Sequence, residues 1–577
     1  MKSGRSTFLF ALVYTCLVSG CALQSAQPPA EKDPSITETS AEPPQRPVRP
    51  FPPETLYSLL AAEIAGGRQQ YEIALSNYTQ QARQTRDPQV AERATMIARY
   101  LNANEVASET ALLWVELEPE SDAALSNATV ALLQSGRALE AFEMSQRLQA
   151  KGLETLYQNI AANASDLPED ERETLLQAYL QQLQATPENE QLLVGTGLLL
   201  QMQGKPEEAL GYARTAIELD PDSVAAGLLE THLLHQLQRD QEAIARLDKL
   251  LDMHPTNIRL RLQYARILAH NDLARAQEQF EILTEQAPDD GDLRLSLALV
   301  AMERKDFDTA AAAFEHLLDS NQHLSTAHYS LGQIAEQRGD QAKALLHYLS
   351  VEPGREFARA TVNLLNIMIK QGDLISASEH IQRLSANSPA QTPAFQQLHA
   401  QALTKYKHYT AAEQVLDQAL ALSPRNTQLL FTRGLLYDTQ GRLADAERDL
   451  RTIIEDEPDN SAALNALGYI LIDRTDRLDE ASGYLLQAIT LNPNDPAILD
   501  SVGWLYYRTD NYPEALAYLR RAFAAYPDAE IAAHLGEVLW TIGKRDEALG
   551  IWQHGLELAP DSEIIRDTME RLQVKPQ

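Results

Sequence analysis

Two cysteines, thirteen histidines and eighty-one carboxylates are the side chains with which this 577-residue chain could do chemistry. Few of them are spaced to do it. The closely spaced histidine pair on a helical pattern is His232 and His235 in THLLHQ, three residues apart. It lacks the glutamate and the third ligand that a zinc hydrolase site requires. The acidic pairs Glu207-Glu208 and Asp289-Asp290 fall in turns, where they act as solvated faces and as negative charge at helix N-termini. Gly195 and Gly197 in VGTGLLL lie inside a helical pattern, so they form no phosphate-cradling loop. Cys16 sits in an apolar run and Cys21 just after it, and no other thiol exists to pair with them. The residues therefore predict no catalytic set, no cofactor site and no metal site, and leave binding as the function to explain.

The elements that would position a binding face follow from a proline clock. Pro119, Pro221, Pro255, Pro288, Pro389, Pro424, Pro458, Pro493, Pro527 and Pro560 keep a common period of about 34 residues. Twelve residues before each stands an alanine, and eight and five before it come mostly apolar positions, as in Ala446-Leu450-Ile453-Pro458 and Ala515-Leu519-Ala522-Pro527. Gly197, Gly332, Gly434, Gly503 and Gly536 precede Ala209, Ala344, Ala446, Ala515 and Ala548 by twelve residues. This is the pattern of a helical hairpin: small residues where two helices cross, then a proline that lacks an N–H and stops the second helix. Each hairpin buries its remaining apolar surface by stacking on the next.

Segments such as LLFTRGLLYDTQGRLADAERDLRTIIEDEP and ILDSVGWLYYRTDNYPEALAYLRRAFAAYP resemble tetratricopeptide repeats. The resemblance implies an all-α fold, a right-handed superhelical solenoid over residues 54–563, with a capping helix and tail at 564–577. Residues 150–189 keep a helical pattern but lose the alanine register, which predicts an irregular hairpin. The inner wall of such a superhelix is lined by first-helix residues three and four apart. Here that stripe gives a protein-binding groove of Phe431, Leu435, Tyr469, Trp504, Tyr507 and Trp540, and aromatic anchors of this kind are favoured at interfaces. The Lys and Asn clamp of the chaperone-binding class is not reproduced. A formal charge of −32 and the lack of a basic stripe exclude nucleic acid as a partner.

The N-terminus carries a second signal. Lys2 and Arg5 precede an apolar run from Phe8 to Val18 that ends in Val18-Ser19-Gly20-Cys21, which resembles a bacterial lipoprotein signal peptide. That resemblance implies removal of residues 1–20 and lipidation of Cys21. Ala22 beside it implies sorting to the outer membrane, on the periplasmic face. Residues 21–53 hold nine prolines and few apolar side chains, so they form a tether and not a domain. Extended, it would reach on the order of 100 Å.

The whole layout, including the opening LYSLLAAEIAGGRQQYEIALSNYTQQARQTRDPQVAERATMIARYL, resembles the outer-membrane lipoprotein family that binds and activates a periplasmic carboxyl-terminal processing protease. This implies a non-enzymatic adaptor that tethers the protease and brings it cell-wall hydrolases. The alternative is a structural scaffold lipoprotein for outer-membrane protein assembly or pilus biogenesis.

Overall fold

The computed structural model describes residues 52–574, and these hold 31 α-helices and no strand. The expected leader, Cys21 and all of the tether before Pro52 lie outside the described residues. Each of the ten clock prolines stands two residues beyond the end of a helix, as Pro458 follows Leu443–Asp456 and Pro527 follows Tyr512–Ala525. The residue in between is forced into extended backbone by the proline ring, with φ −129° at Glu457 and −147° at Tyr526. Two residues past most of these prolines, a Ser, Asn or Asp opens the next helix. Asn426, Asn460 and Asp495 each accept a bond from a backbone N–H of the first turn. Proline and cap together fix where these first helices start.

Inside the hairpin the chain turns through left-handed backbone. Gly441 takes φ 70° there, and Asp510 occupies the same slot at φ 59°. The second-helix alanines Ala209, Ala344, Ala446, Ala515 and Ala548 are all fully buried. What the first-helix glycines meet, however, is mainly the side chain four residues further on. A Cβ on Gly468 or Gly503 would lie 2.6 Å from Leu485 or Leu519, while the alanine contributes its backbone oxygen, 3.4 Å from that position at Gly468. At Gly536 the corresponding neighbour is the Trp552 indole.

The chain divides into two compact units, at Thr155 and Leu156. In the first, three hairpins are built from Pro53–Gly67, Tyr71–Thr85, Pro88–Tyr100, Asn104–Leu117, Asp122–Gln134 and Ala138–Ala150. The second opens on the stretch without alanine register. There a six-residue helix, Tyr157–Ala162, and a 3-10 turn precede the long helix Glu169–Ala185. Tyr179 fills the space that a small residue leaves elsewhere: it packs under Gly195 and donates to the Tyr157 carbonyl at 2.6 Å. From Glu190 onward the hairpins run to Leu558, and the helix Glu563–Arg571 closes the last one.

Candidate protein-binding site

Four first helices carry the stripe: Thr427–Thr439, Ser461–Arg474, Pro496–Arg508 and Ala529–Thr541. Each touches the next directly, so side chains at one register position line up from helix to helix. The eighth residue past each start is Leu435, Tyr469, Trp504 and Glu537 in turn. Leu435 is 42% exposed, Tyr469 is half-buried, and Trp504 and Glu537 are buried at 7% and 3%. The stripe thus sinks into the protein toward its C-terminal end.

Trp504 is therefore a core residue and not part of an open groove. Its indole stacks on His534, with ring centroids 4.3 Å apart and planes at 22°, and leans on Tyr507 at 4.8 Å. Trp540 is half-buried, lies against Trp552 at 5.8 Å, and is covered by the Arg545 guanidinium at 5.0 Å. Phe431 and Tyr507 are half-buried. The residues that present surface are thus Leu435 first, then Phe431, Tyr469 and the edges of Tyr507 and Trp540.

The phenols are tied down by carboxylates. Tyr469 reaches past the intervening helix to donate to Glu530 at 2.9 Å, and its hydroxyl lies 3.4 Å from His534 Nε2. Tyr507 donates to Glu537 at 3.2 Å and meets the Thr541 hydroxyl at 3.1 Å. Burial first, and then neighbouring negative charge at Glu530 and Asp473, pushes the Tyr469 phenol far up, so it stays a donor. Burial also raises Tyr507.

Acid predominates on this face. Of Asp438, Asp473, Asp500, Glu530 and Glu537, three meet a guanidinium: Arg474 lies 3.7 Å from Asp438 and 3.2 Å from Asp473, and Arg571 forks onto Glu537. Burial raises the Asp438 carboxyl, Asp473 adds to the rise and Arg474 opposes it. Asp438 Oδ1, Asn465 Oδ1 and the Trp504 indole N–H, on three consecutive first helices, are buried and make no hydrogen bond, and Asp438 Oδ1 has the Arg474 guanidinium as its ion-pair partner. A face with exposed apolar anchors and an excess of carboxylates is equipped to receive a polypeptide's apolar and cationic side chains.

His534, Arg571 and Thr541 are the residues that the stripe pattern missed. The signal was available: Asp500–His534, Tyr507–Thr541 and Glu537–Arg571 are each 34 residues apart and each bonded, so polar partners recur at one repeat period. His235 turns to Asp240 at 2.7 Å and lies at a tilt against His270, with ring centroids 5.5 Å apart, leaving His232 out. Among the described residues no group of three or more His, Cys, Asp or Glu is placed to hold a metal. An open cleft of about 770 Å³ lies in the first unit, lined by Leu75, Thr79, Arg83, Leu101 and Val106 among others.

A tetratricopeptide-repeat family model matches residues 266–324, 301–358, 397–450, 431–496 and 503–563, and a second such model matches 200–267. Over 578 residues the chain is 39% identical to a TPR repeat-containing protein of Pseudomonas aeruginosa, covering 99% of this chain and 97% of that one. It is 24% identical over 172 residues to the human protein O-mannosyl-transferase TMTC1, covering 28% of this chain and 19% of that protein. A solved structure of the APC/C hetero-tetramer Cut9-Hcn1 aligns at 15% identity and a TM-score of 0.32, covering 90% of this chain and 96% of that one.

Proposed function

Because this chain belongs to the tetratricopeptide-repeat proteins, we infer that it is a protein-interaction scaffold, and we propose that it acts as a lipid-anchored adaptor. In this reading Cys21 carries the lipid, the proline-rich segment is the tether, and the repeats bind a periplasmic carboxyl-terminal processing protease together with the cell-wall hydrolases it cleaves. The protease supplies the catalytic groups and the scaffold supplies none. The observation that carries the binding half is the stripe itself: Leu435, Phe431 and Tyr469 offered on adjacent helices beside the carboxylates Asp438, Asp473 and Glu530. The leader, the tether and the opening segment support the anchoring and protease half through the sequence alone.

An adaptor of this kind accelerates a partner's reaction by raising the effective concentration of substrate beside it, or by favouring the partner's active arrangement. Affinity capture from detergent-solubilised envelopes tests the assignment. A serine protease and cell-wall hydrolases should co-purify with the wild type and be depleted with the double variant Phe431→Ala, Leu435→Ala. Recovery of an outer-membrane assembly or pilus machine in their place would establish the structural scaffold and refute the adaptor.

A further inference from the structure

His534 is 5% exposed and belongs to no repeat signature, yet its ring meets Asp500, the Tyr469 hydroxyl and the Trp504 indole. Its Nδ1 faces both oxygens of Asp500, at 2.8 and 3.1 Å, and Nε2 faces the Tyr469 hydroxyl oxygen at 3.4 Å. That hydroxyl has one proton, and it is spent on Glu530 at 2.9 Å. Both ring nitrogens therefore look at acceptors. A neutral imidazole carries one N–H and would set a lone pair against the phenol oxygen. The doubly protonated ring donates on both sides. The Trp504 indole stacked under it, at 4.3 Å, is the aromatic face a cation prefers.

We propose that His534 is held as an imidazolium that ties the last three first helices together, and that raising the pH releases this tie and loosens the aromatic stripe. The three helices are Ser461–Arg474 through Tyr469, Pro496–Arg508 through Asp500 and Trp504, and Ala529–Thr541 through His534 itself. The charged groups that face the ring set the sense of the switch. Asp500 comes from the preceding first helix, Glu530 and Glu537 from its own, and Arg571 of the closing helix is turned onto Glu537. The second helices Tyr512–Ala525 and Arg545–Leu558 meet this helix through Ala515, Leu519, Ala548 and Trp552, with Arg545 laid over Trp540.

Burial alone would pull the imidazole down, but the three carboxylates outweigh it and leave its pKa above the ordinary 6.5. A group raised on folding stabilises fully below its unfolded pKa, and that stability is lost as pH rises through the folded value. Loss of the proton frees Nε2 to take the Tyr469 hydroxyl, and Glu530 loses its donor. The effect on partner binding rests on the reading of the stripe as a binding face. The conformational step does not.

A stacked imidazolium quenches indole emission, so the full-length protein reports on itself. Tryptophan fluorescence followed from about pH 5 upward should rise in one step whose midpoint lies above 6.5. The step should vanish in Trp504→Phe and in His534→Gln. In Glu530→Gln, which changes an exposed side chain, its midpoint should move down. A flat profile in the wild type, or a step that survives His534→Gln unchanged, overturns the proposal. Should His534→Gln fail to fold, the Glu530→Gln midpoint decides alone, and an unmoved midpoint sinks the idea. Partner capture that stays constant across a confirmed fluorescence step would contradict the binding role of the stripe and leave the switch standing.

Discussion

Leu435 and Trp504 hold one register position two repeats apart, yet their side chains have opposite jobs. Leu435 has solvent beside it, whereas Trp504 lies between His534 and Tyr507. Truncating Trp504 to Ala should cost about 3–5 kcal/mol in urea unfolding, the range for an aromatic lost from a packed interior. Leu435→Ala should stay within about 1 kcal/mol of wild type in the same experiment. It should instead weaken partner binding by about 1–2 kcal/mol in calorimetry, as an exposed anchor does. A second residue-scale outcome concerns Glu537, buried at 3% and satisfied by Arg571 and Tyr507. Arg571→Ala leaves that carboxylate short of its cation and should destabilise the C-terminal end by about 1–3 kcal/mol. Hydrogen exchange should place the loss in the helices Ala529–Thr541 and Glu563–Arg571.

At the scale of the helix, glycines separate into two populations that substitution should tell apart. A Cβ on Gly468 would meet Leu485 at 2.6 Å across the hairpin, whereas one on Gly483 or Gly211, also within helices, meets nothing within 4 Å. Gly468→Ala should therefore cost about 1–3 kcal/mol by overpacking. Gly483→Ala should stabilise by about 0.5–1 kcal/mol through helix propensity and a less flexible unfolded chain. Thermal unfolding of the two single variants checks both signs. The hairpins were legible because each rests on local rules: the residue before proline must be extended, the cap must be Ser, Asn or Asp, and the crossing must be small. Trp504 was misread because its burial is decided by His534, which arrives from the neighbouring repeat and stacks on the indole. Periodicity places a residue on a face. It does not say whether another side chain already covers that face. The division of the chain at Thr155 falls where the alanine register lapses, but the two-tyrosine packing that replaces it, Tyr179 on Tyr157, has no repeat signature to read.

At the scale of the whole molecule, charge is unevenly spread. Residues 1–103 carry nine acidic and ten basic side chains, so the residues beyond them carry −33 against a total of −32. A basic partner would be steered to the repeats and away from the end that the lipid would hold, and its association should slow as salt rises from about 0.05 M to about 0.5 M. Cys21→Ser should leave the protein unprocessed in the inner membrane or released in soluble form, as fractionation of the envelope would report. Outer-membrane fractionation like that of the wild type would contradict lipidation at this residue. The central claim is that these repeats promote a reaction they do not perform. The region from Glu54 onward, the purified processing protease and a cell-wall hydrolase should be mixed in all combinations, and the rate of hydrolase cleavage measured. The account predicts no cleavage by the repeats alone, slow cleavage by the protease alone, and a rise of at least about tenfold when the two are together, equivalent to about 1.4 kcal/mol. An unchanged protease rate, with neither protease nor hydrolase bound to the repeats, would contradict it.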